Sequence, residues 1–184
     1  IRYERIKSDL KANIFNYHGL IYDLEKLETK LLGYHQFSNC SVALAMVELL
    51  DMLGYDFEEK NIRRTLLDAK INGRLEMIEK KNLIILDCAK DPFAMKAISQ
   101  LLKDNFDRKF VVILSISSDK DYRSMIKNVS EIANTFIFCE HKVMNRALKK
   151  EVLAKALEEL GLKIPYYLIG DVKEAVAFAE LNFD

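Results

Sequence analysis

An α/β fold is predicted for this chain, and two observations carry that reading. From Gly73 onward, short apolar runs alternate with amphipathic stretches long enough for helices. Strands separated by helices of that length imply parallel neighbours and right-handed crossovers. Before Gly73, the apolar residues Val42, Ala45, Met46, Leu49, Leu50 and Leu53 recur at steps of three and four, the spacing of a helix face. The chain therefore divides near Gly73 into residues 1–73, a hairpin plus two helices, and residues 74–184, a doubly wound, mostly parallel α/β domain.

Taken in order, Asn13 to Tyr17 reads as a strand, His18-Gly19 as a turn and Leu20 to Leu24 as the returning strand, while Glu25 to Leu32 suits either strand or helix. The run from Ser38 is expected to be a buried helix with Val42, Ala45, Met46, Leu49, Leu50 and Leu53 as its apolar positions, stopped by Gly54. Phe57 to Lys70 is a second helix, with Ile62, Leu66 and Ala69 inward, closed by Asn72-Gly73. Leu75 to Ile78 and Leu83 to Leu86 flank a Lys80-Lys81-Asn82 turn and can pair as a hairpin. Leu83 to Leu86 has the texture of a buried strand feeding a helix from Phe93 to Asn105, with Asp91 as N-cap and Pro92 at the first helical position. Phe110 to Leu114, Thr135 to Phe138 and Tyr166 to Ile169 are the following strands. Tyr122 to Ala133, Lys149 to Leu160 and Val172 to Leu181 are the helices between and after them.

Half of the 184 residues are apolar, enough for a sizeable core, and 28 basic residues balance 28 acidic ones. That balance removes the electrostatic footprint of a nucleic-acid binder. No window approaches the ~18 apolar residues of a membrane span. Cys40, Cys88 and Cys139 are widely spaced, as are His18, His35 and His141, which argues for reduced thiols in a cytoplasm and against a structural metal. The chain begins without Met, which suggests a processed or excised segment.

Ligands of open α/β sheets sit outside the carboxyl ends of the strands. The polar residues at those predicted ends are Asp87 and Lys90, Ser115 to Asp121, Glu140 to Lys142 with Asn145 and Arg146, and Gly170-Asp171. Asp87 leads, because a carboxylate there can accept both hydroxyls of a ribose diol; its bland alternative is a helix or turn cap. Lys120 suits a phosphate or a solvated helix start. His141 is expected in solvent, His35 as a polar contact at a helix start, and Cys88 has no nearby His in sequence to activate it. Neither a G-x-x-x-x-G-K-[ST] loop nor a G-x-G-x-x-G turn is present.

Gly33-Tyr34-His35-Gln36-Phe37-Ser38-Asn39, Gly73-Arg74-Leu75-Glu76, Asp87-Cys88-Ala89-Lys90-Asp91-Pro92 and Asp119-Lys120-Asp121 together resemble the folylpolyglutamate synthase and dihydrofolate synthase family of the Mur-ligase superfamily. The resemblance implies part of a ligase central domain followed by a Rossmann-like C-terminal domain. Its members are ATP-dependent amide ligases that activate a carboxylate as an acyl phosphate, which the amine of glutamate then attacks. It further implies Gln36 and Asn39 near the adenine, Arg74 on the phosphates, Asp87 on the ribose and Lys90 beside the nucleotide, with Arg74 and Lys90 serving catalysis. ATP and Mg2+ would serve the intact enzyme, with folate and glutamate as substrates.

The family's turn usually reads Asp-Gly-Ala-His-Asn-Pro, so Cys88, Lys90 and Asp91 are departures. The resemblance also implies a P-loop domain before Ile1 and a last strand and helix after Asp184, so the chain is expected not to catalyse alone. Two alternatives stand beside this reading: a non-catalytic assembly module that kept the fold, and a Mur-type ligase with another substrate.

Overall fold

The computed structural model describes residues 1–79 and 82–183. Two compact units emerge, one made of residues 1–78 with 85–88 and the other of 79–84 with 89–184.

The first unit is built on an antiparallel sheet in the order β1-β2-β3: β1 (Arg2–Ser8), β2 (Asn13–His18) and β3 (Asp23–Thr29). β2 matches the expected strand. The returning strand begins later than predicted, because residues 19–22 form the turn, with the Gly19 N–H donating to the Tyr22 carbonyl. The segment left between strand and helix is strand through Thr29. β1 was not anticipated: its residues are mostly exposed and charged, so it carries no apolar run. Phe15, Tyr17, Leu24 and Leu27 point from this sheet onto Phe37, Cys40 and Leu44 of α1 (His35–Met52) and Ile62 of α2 (Glu59–Asp68).

α1 corrects the expected burial. Its inward residues are Gln36, Phe37, Cys40, Ser41, Leu44 and Glu48, whereas Val42, Met46, Leu49 and Leu53, expected inside, are 54–76% exposed. The reason is Glu48. Its Oε2 accepts from the Tyr17 hydroxyl and the Leu20 N–H, and its Oε1 from the Ile21 and Tyr22 N–H groups. A fully buried carboxylate with four donors fixes the roll of the helix. Burial opposes its ionisation, but those donors outweigh it and hold the Glu48 carboxyl below the usual range. The helix ends as predicted at Gly54, whose positive φ of 95° lets its N–H reach the Asp51 carbonyl and that of Tyr55 reach Leu50.

β4 (Glu76–Glu79) and β5 (Leu83–Leu86) pair in a two-stranded sheet. Lys80 and Lys81 of the expected turn lie outside the described residues. β5 is half-exposed rather than buried and pairs with β4, not with the parallel strands; its apolar run is too short to tell a core strand from a ribbon.

In the second unit the three parallel strands β6 (Phe110–Leu114), β7 (Ala133–Glu140) and β8 (Tyr166–Asp171) lie in the order β6-β7-β8. α3 (Pro92–Asn105), α4 (Tyr122–Ser130), α5 (Lys150–Glu159) and α6 (Val172–Asn182) fall within a few residues of the predicted helices. β7 is the buried centre of the sheet: Phe136, Ile137, Phe138 and Cys139 are inaccessible to solvent. Burial pushes the Cys139 thiol up to about 11. Asp91, Asp121 and Asp171 cap α3, α4 and α6 by accepting the N–H three residues on. No described helix is long and apolar enough to cross a membrane.

Candidate functional site

The turn between α2 and β4 presents Arg74 from a backbone held on both sides. Gly73 and Leu75 have φ of 68° and 47°; for Leu75, a branched apolar residue, that left-handed region costs roughly 1–3 kcal/mol. Three hydrogen bonds and one buried side chain offset the strain. The Leu75 N–H donates to Asp87 Oδ2 at 2.9 Å, the Gly73 N–H to Glu76 Oε2 at 3.0 Å, and the Cys88 N–H to the Gly73 carbonyl at 2.7 Å. The Leu75 side chain is buried. Gly73 is required twice over, since a Cβ there would also lie 2.7 Å from Cys88 Sγ.

Asp87 is therefore the clamp of the Arg74 turn. Its position after β5 is not the carboxyl edge of the parallel sheet, so the reasoning that placed it there is corrected. Arg74 lines an open cleft of about 380 Å³ with Lys30, Lys70, Asp68 and Glu76. Three cations against two carboxylates leave its mouth net positive, a surface suited to an anion.

Gln36 and Asn39 lie one helical turn apart at the start of α1. Asn39 Nδ2 donates to Gln36 Oε1 at 3.0 Å, and Gln36 Nε2 lies 3.1 Å from His35 Nε2. Gln36 is buried and Asn39 exposed, so Gln36 orients while Asn39 keeps one N–H and its carbonyl for a partner. The two sites adjoin: a Cβ on Gly33, two residues before α1, would sit 3.6 Å from Leu75 Cδ1, and Asn13 Nδ2 ties the Leu31 and Gly33 carbonyls. Gln36, Asn39, Arg74 and Asp87 all belong to the first unit. Lys90 is exposed and belongs to the second unit.

The remaining candidates have structural duties. Asp121 caps α4, and Lys120 pairs with Asp119 at 2.6 Å. His141, expected in solvent, is half-buried: Ser117 Oγ lies 3.1 Å from its Nε2, and its Nδ1 accepts from the Val143 N–H. With Nδ1 accepting, Nε2 carries the proton and donates to Ser117, so this pair is not a base and its nucleophile. Leu75, Glu76 and the Cys88 N–H were missed as parts of the site. A Gly followed two residues later by a buried apolar residue and then an acid was the available signal. Among the described residues, no three His, Cys, Asp or Glu side chains gather as metal ligands.

Residues 73–182, more than half of the chain, match the family model described as Mur ligase, glutamate ligase domain. The chain belongs to this Mur ligase family. The folylpolyglutamate synthase of Lacticaseibacillus casei is 28% identical over 89% of this chain and 40% of its own length. The Mycobacterium tuberculosis folylpolyglutamate synthase complexed with ADP superposes with a TM-score of 0.83 at 24% identity, covering 97% of this chain and 40% of that one. A bifunctional folylpolyglutamate synthase/dihydrofolate synthase with Mn, AMPPNP and L-glutamate bound gives 0.76 at 21% identity, over 99% and 40%. This Mur ligase family chain thus spans 40% of the length of each of these relatives.

Proposed function

We propose that the chain is the nucleotide-facing C-terminal part of an ATP-dependent amide ligase of the folylpolyglutamate synthase type, which joins glutamate to a folate through an acyl phosphate. The division near Gly73, with 1–73 as the remainder of a central domain and 74–184 as the C-terminal domain, is part of this reading, as is a cytoplasmic setting. The observation that carries it is the clamped Gly73–Leu75 turn. A strained backbone fixed by a carboxylate, a carbonyl and a buried side chain sets Arg74, a permanent planar cation, at the mouth of a net-positive cleft. Support comes also from relatives whose structures hold ADP, or Mn, AMPPNP and L-glutamate.

In this reading Arg74 meets the charge that develops on the transferring phosphoryl group. Asp87 holds the turn through one oxygen and accepts from the ribose, and Asn39, oriented by Gln36, matches an adenine edge with its remaining donor and acceptor. Magnesium, when bound, would neutralise phosphate charge in the intact enzyme.

Calorimetric titration with ATP and magnesium tests the reading. A half-site alone is expected to bind with a Kd of about 0.1–1 mM, or roughly 4–5.5 kcal/mol. Asp87→Ala and Arg74→Ala should each abolish measurable binding. Asp87→Asn, which keeps an acceptor for the Leu75 N–H, should retain the fold and lose part of the affinity. Binding indifferent to all three substitutions would overturn the assignment, as would ATP hydrolysis by the chain alone at the rate of a full ligase.

A further inference from the structure

The cleft beside Arg74 holds more positive charge than one phosphoryl group calls for. Two segments of the first unit line it: residues 30–31, just after β3, and residues between 67 and 77, from the last turn of α2 through the clamped turn into β4. Lys30, Lys70 and Arg74 face Asp68 and Glu76 there, and both carboxylates are already engaged. Asp68 lies 3.5 Å from Arg64, and Glu76 accepts from the Gly73 N–H. Among the described residues, none of the three cations is in an ion pair. Like charges gathered at one opening repel, and an anion relieves them.

Both segments are fixed by their own backbone contacts. The Leu31 N–H donates to the hydroxyl of buried Thr29, and the buried Asn13 amide donates to the Leu31 carbonyl, so Lys30 stands between two held residues. In the second segment the Arg74 N–H donates to the Ile71 carbonyl and closes the turn that follows Lys70. Much of the remaining lining is apolar: Leu31, Leu67, Ile71 and Met77 belong to it, and Ile71 is 52% exposed. A bare phosphate chain has no apolar surface to place against these side chains. A ligand that matches both features carries anionic groups separated by hydrocarbon.

We infer that this cleft binds a chain of glutamate residues, the growing product of the ligase. Whichever carboxyl forms the link, each residue of such a chain keeps one free carboxylate and two methylenes, so charge and apolar surface alternate along it. The carboxylates meet Lys30 and Lys70, the methylenes lie on Leu31, Leu67, Ile71 and Met77, and Arg74 remains for the phosphoryl group. A volume of about 380 Å³ is at the small end of ligand sites, ~300–1,000 Å³, and suits a short stretch of the chain. The inference rests on the ligase reading, because only repeated glutamate addition supplies this ligand, and it adds a holding site for the part already made.

Calorimetry of the chain with γ-linked triglutamate tests it, with free glutamate and inorganic triphosphate as comparison probes. Triglutamate is expected to bind about 10-fold more tightly than glutamate, the weight of one further charge-assisted pair, and to weaken as salt is raised. Lys30→Ala/Lys70→Ala should weaken triglutamate about 10-fold and ATP less than about 3-fold, the share of long-range charge alone. Lys30→Arg/Lys70→Arg should restore triglutamate binding, and Ile71→Ser should weaken triglutamate without changing triphosphate. The three positions are exposed, so circular dichroism of every variant should match wild type. No binding of triglutamate, or equal binding by wild type and the double alanine variant, overturns the inference. So does triphosphate bound as tightly and with the same dependence on both lysines, which would make the cleft a phosphate site. ATP bound with triglutamate ignored sinks this inference alone; triglutamate bound with ATP ignored sinks the nucleotide reading alone.

Discussion

Replacing Glu48 by Ala is expected to cost about 3–5 kcal/mol of stability, out of the roughly 5–15 kcal/mol typical of a folded domain. The substitution strands four donors. Tyr17 is fully buried, so its hydroxyl loses its acceptor with no water to replace it, at about 1–3 kcal/mol. The Leu20, Ile21 and Tyr22 N–H groups lie in a turn whose first two side chains are exposed, so water recovers part of three charge-assisted bonds worth roughly 1.5–3 kcal/mol each before that recovery. Glu48→Gln keeps one acceptor but turns an amide N–H₂ toward donors, and should cost about 2–3 kcal/mol. Urea unfolding at pH 7 measures both. The sign of the pH dependence follows from the lowered carboxyl: the contribution is complete above the ordinary glutamate value near ~4.3 and is lost as pH falls through the folded value. The acid limb of the stability profile should therefore be shallower in Glu48→Gln. A loss below about 1 kcal/mol for Glu48→Ala would refute the idea that this carboxylate fixes α1.

Three further outcomes are expected. Gly73→Ala places a Cβ 2.7 Å from Cys88 Sγ at a φ of 68°, and should destabilise by about 1–2 kcal/mol while weakening ATP binding; Cys88→Ala should rescue the steric part, measured by unfolding of the double variant. A thiol reagent at pH 8 should label one cysteine, because Cys88 is exposed while burial pushes the Cys40 and Cys139 thiols up; mass spectrometry should place the label on Cys88, and its attachment should block ATP binding. Tyr22, hydrogen-bonded to Asp51, has its hydroxyl pushed up to about 12, so stability should fall as pH rises from about 10 toward 12, and the fall should be smaller in Tyr22→Phe.

The parts of the fold that local chemistry decides were legible. Asp91-Pro92 announced α3 because a cap and a fixed φ act within one turn, and Gly54 announced the end of α1 for the same reason. The alternation of strands and helices after Gly73 needed only period and length. What the sequence concealed was decided at long range. Glu48 meets partners 26 to 31 residues away, and with apolar residues on both sides of α1 nothing local says which face is inward. β1 carries charge where a strand signal would be. In the site, Arg74 and Asp87 were visible as a motif, but the link between them runs through the N–H of Leu75, a main-chain contact that leaves no trace in residue type.

The departures from the family's turn have a physical reading that follows from that main-chain link. Cys88, standing where the family usually has glycine, contributes its N–H to the Gly73 carbonyl, a contact that any residue except proline can make. Its side chain occupies the space above Gly73, where the absence of a Cβ leaves room. Lys90 lies outside the Asp87–Leu75 clamp and is exposed, so exchanging an imidazole for an ammonium alters a charge facing solvent without touching the turn that holds Arg74. The clamp needs a carboxylate at 87, a backbone N–H at 88 and a glycine at 73, and all three are present. The altered letters therefore leave intact the contacts that hold Leu75 at its φ of 47°.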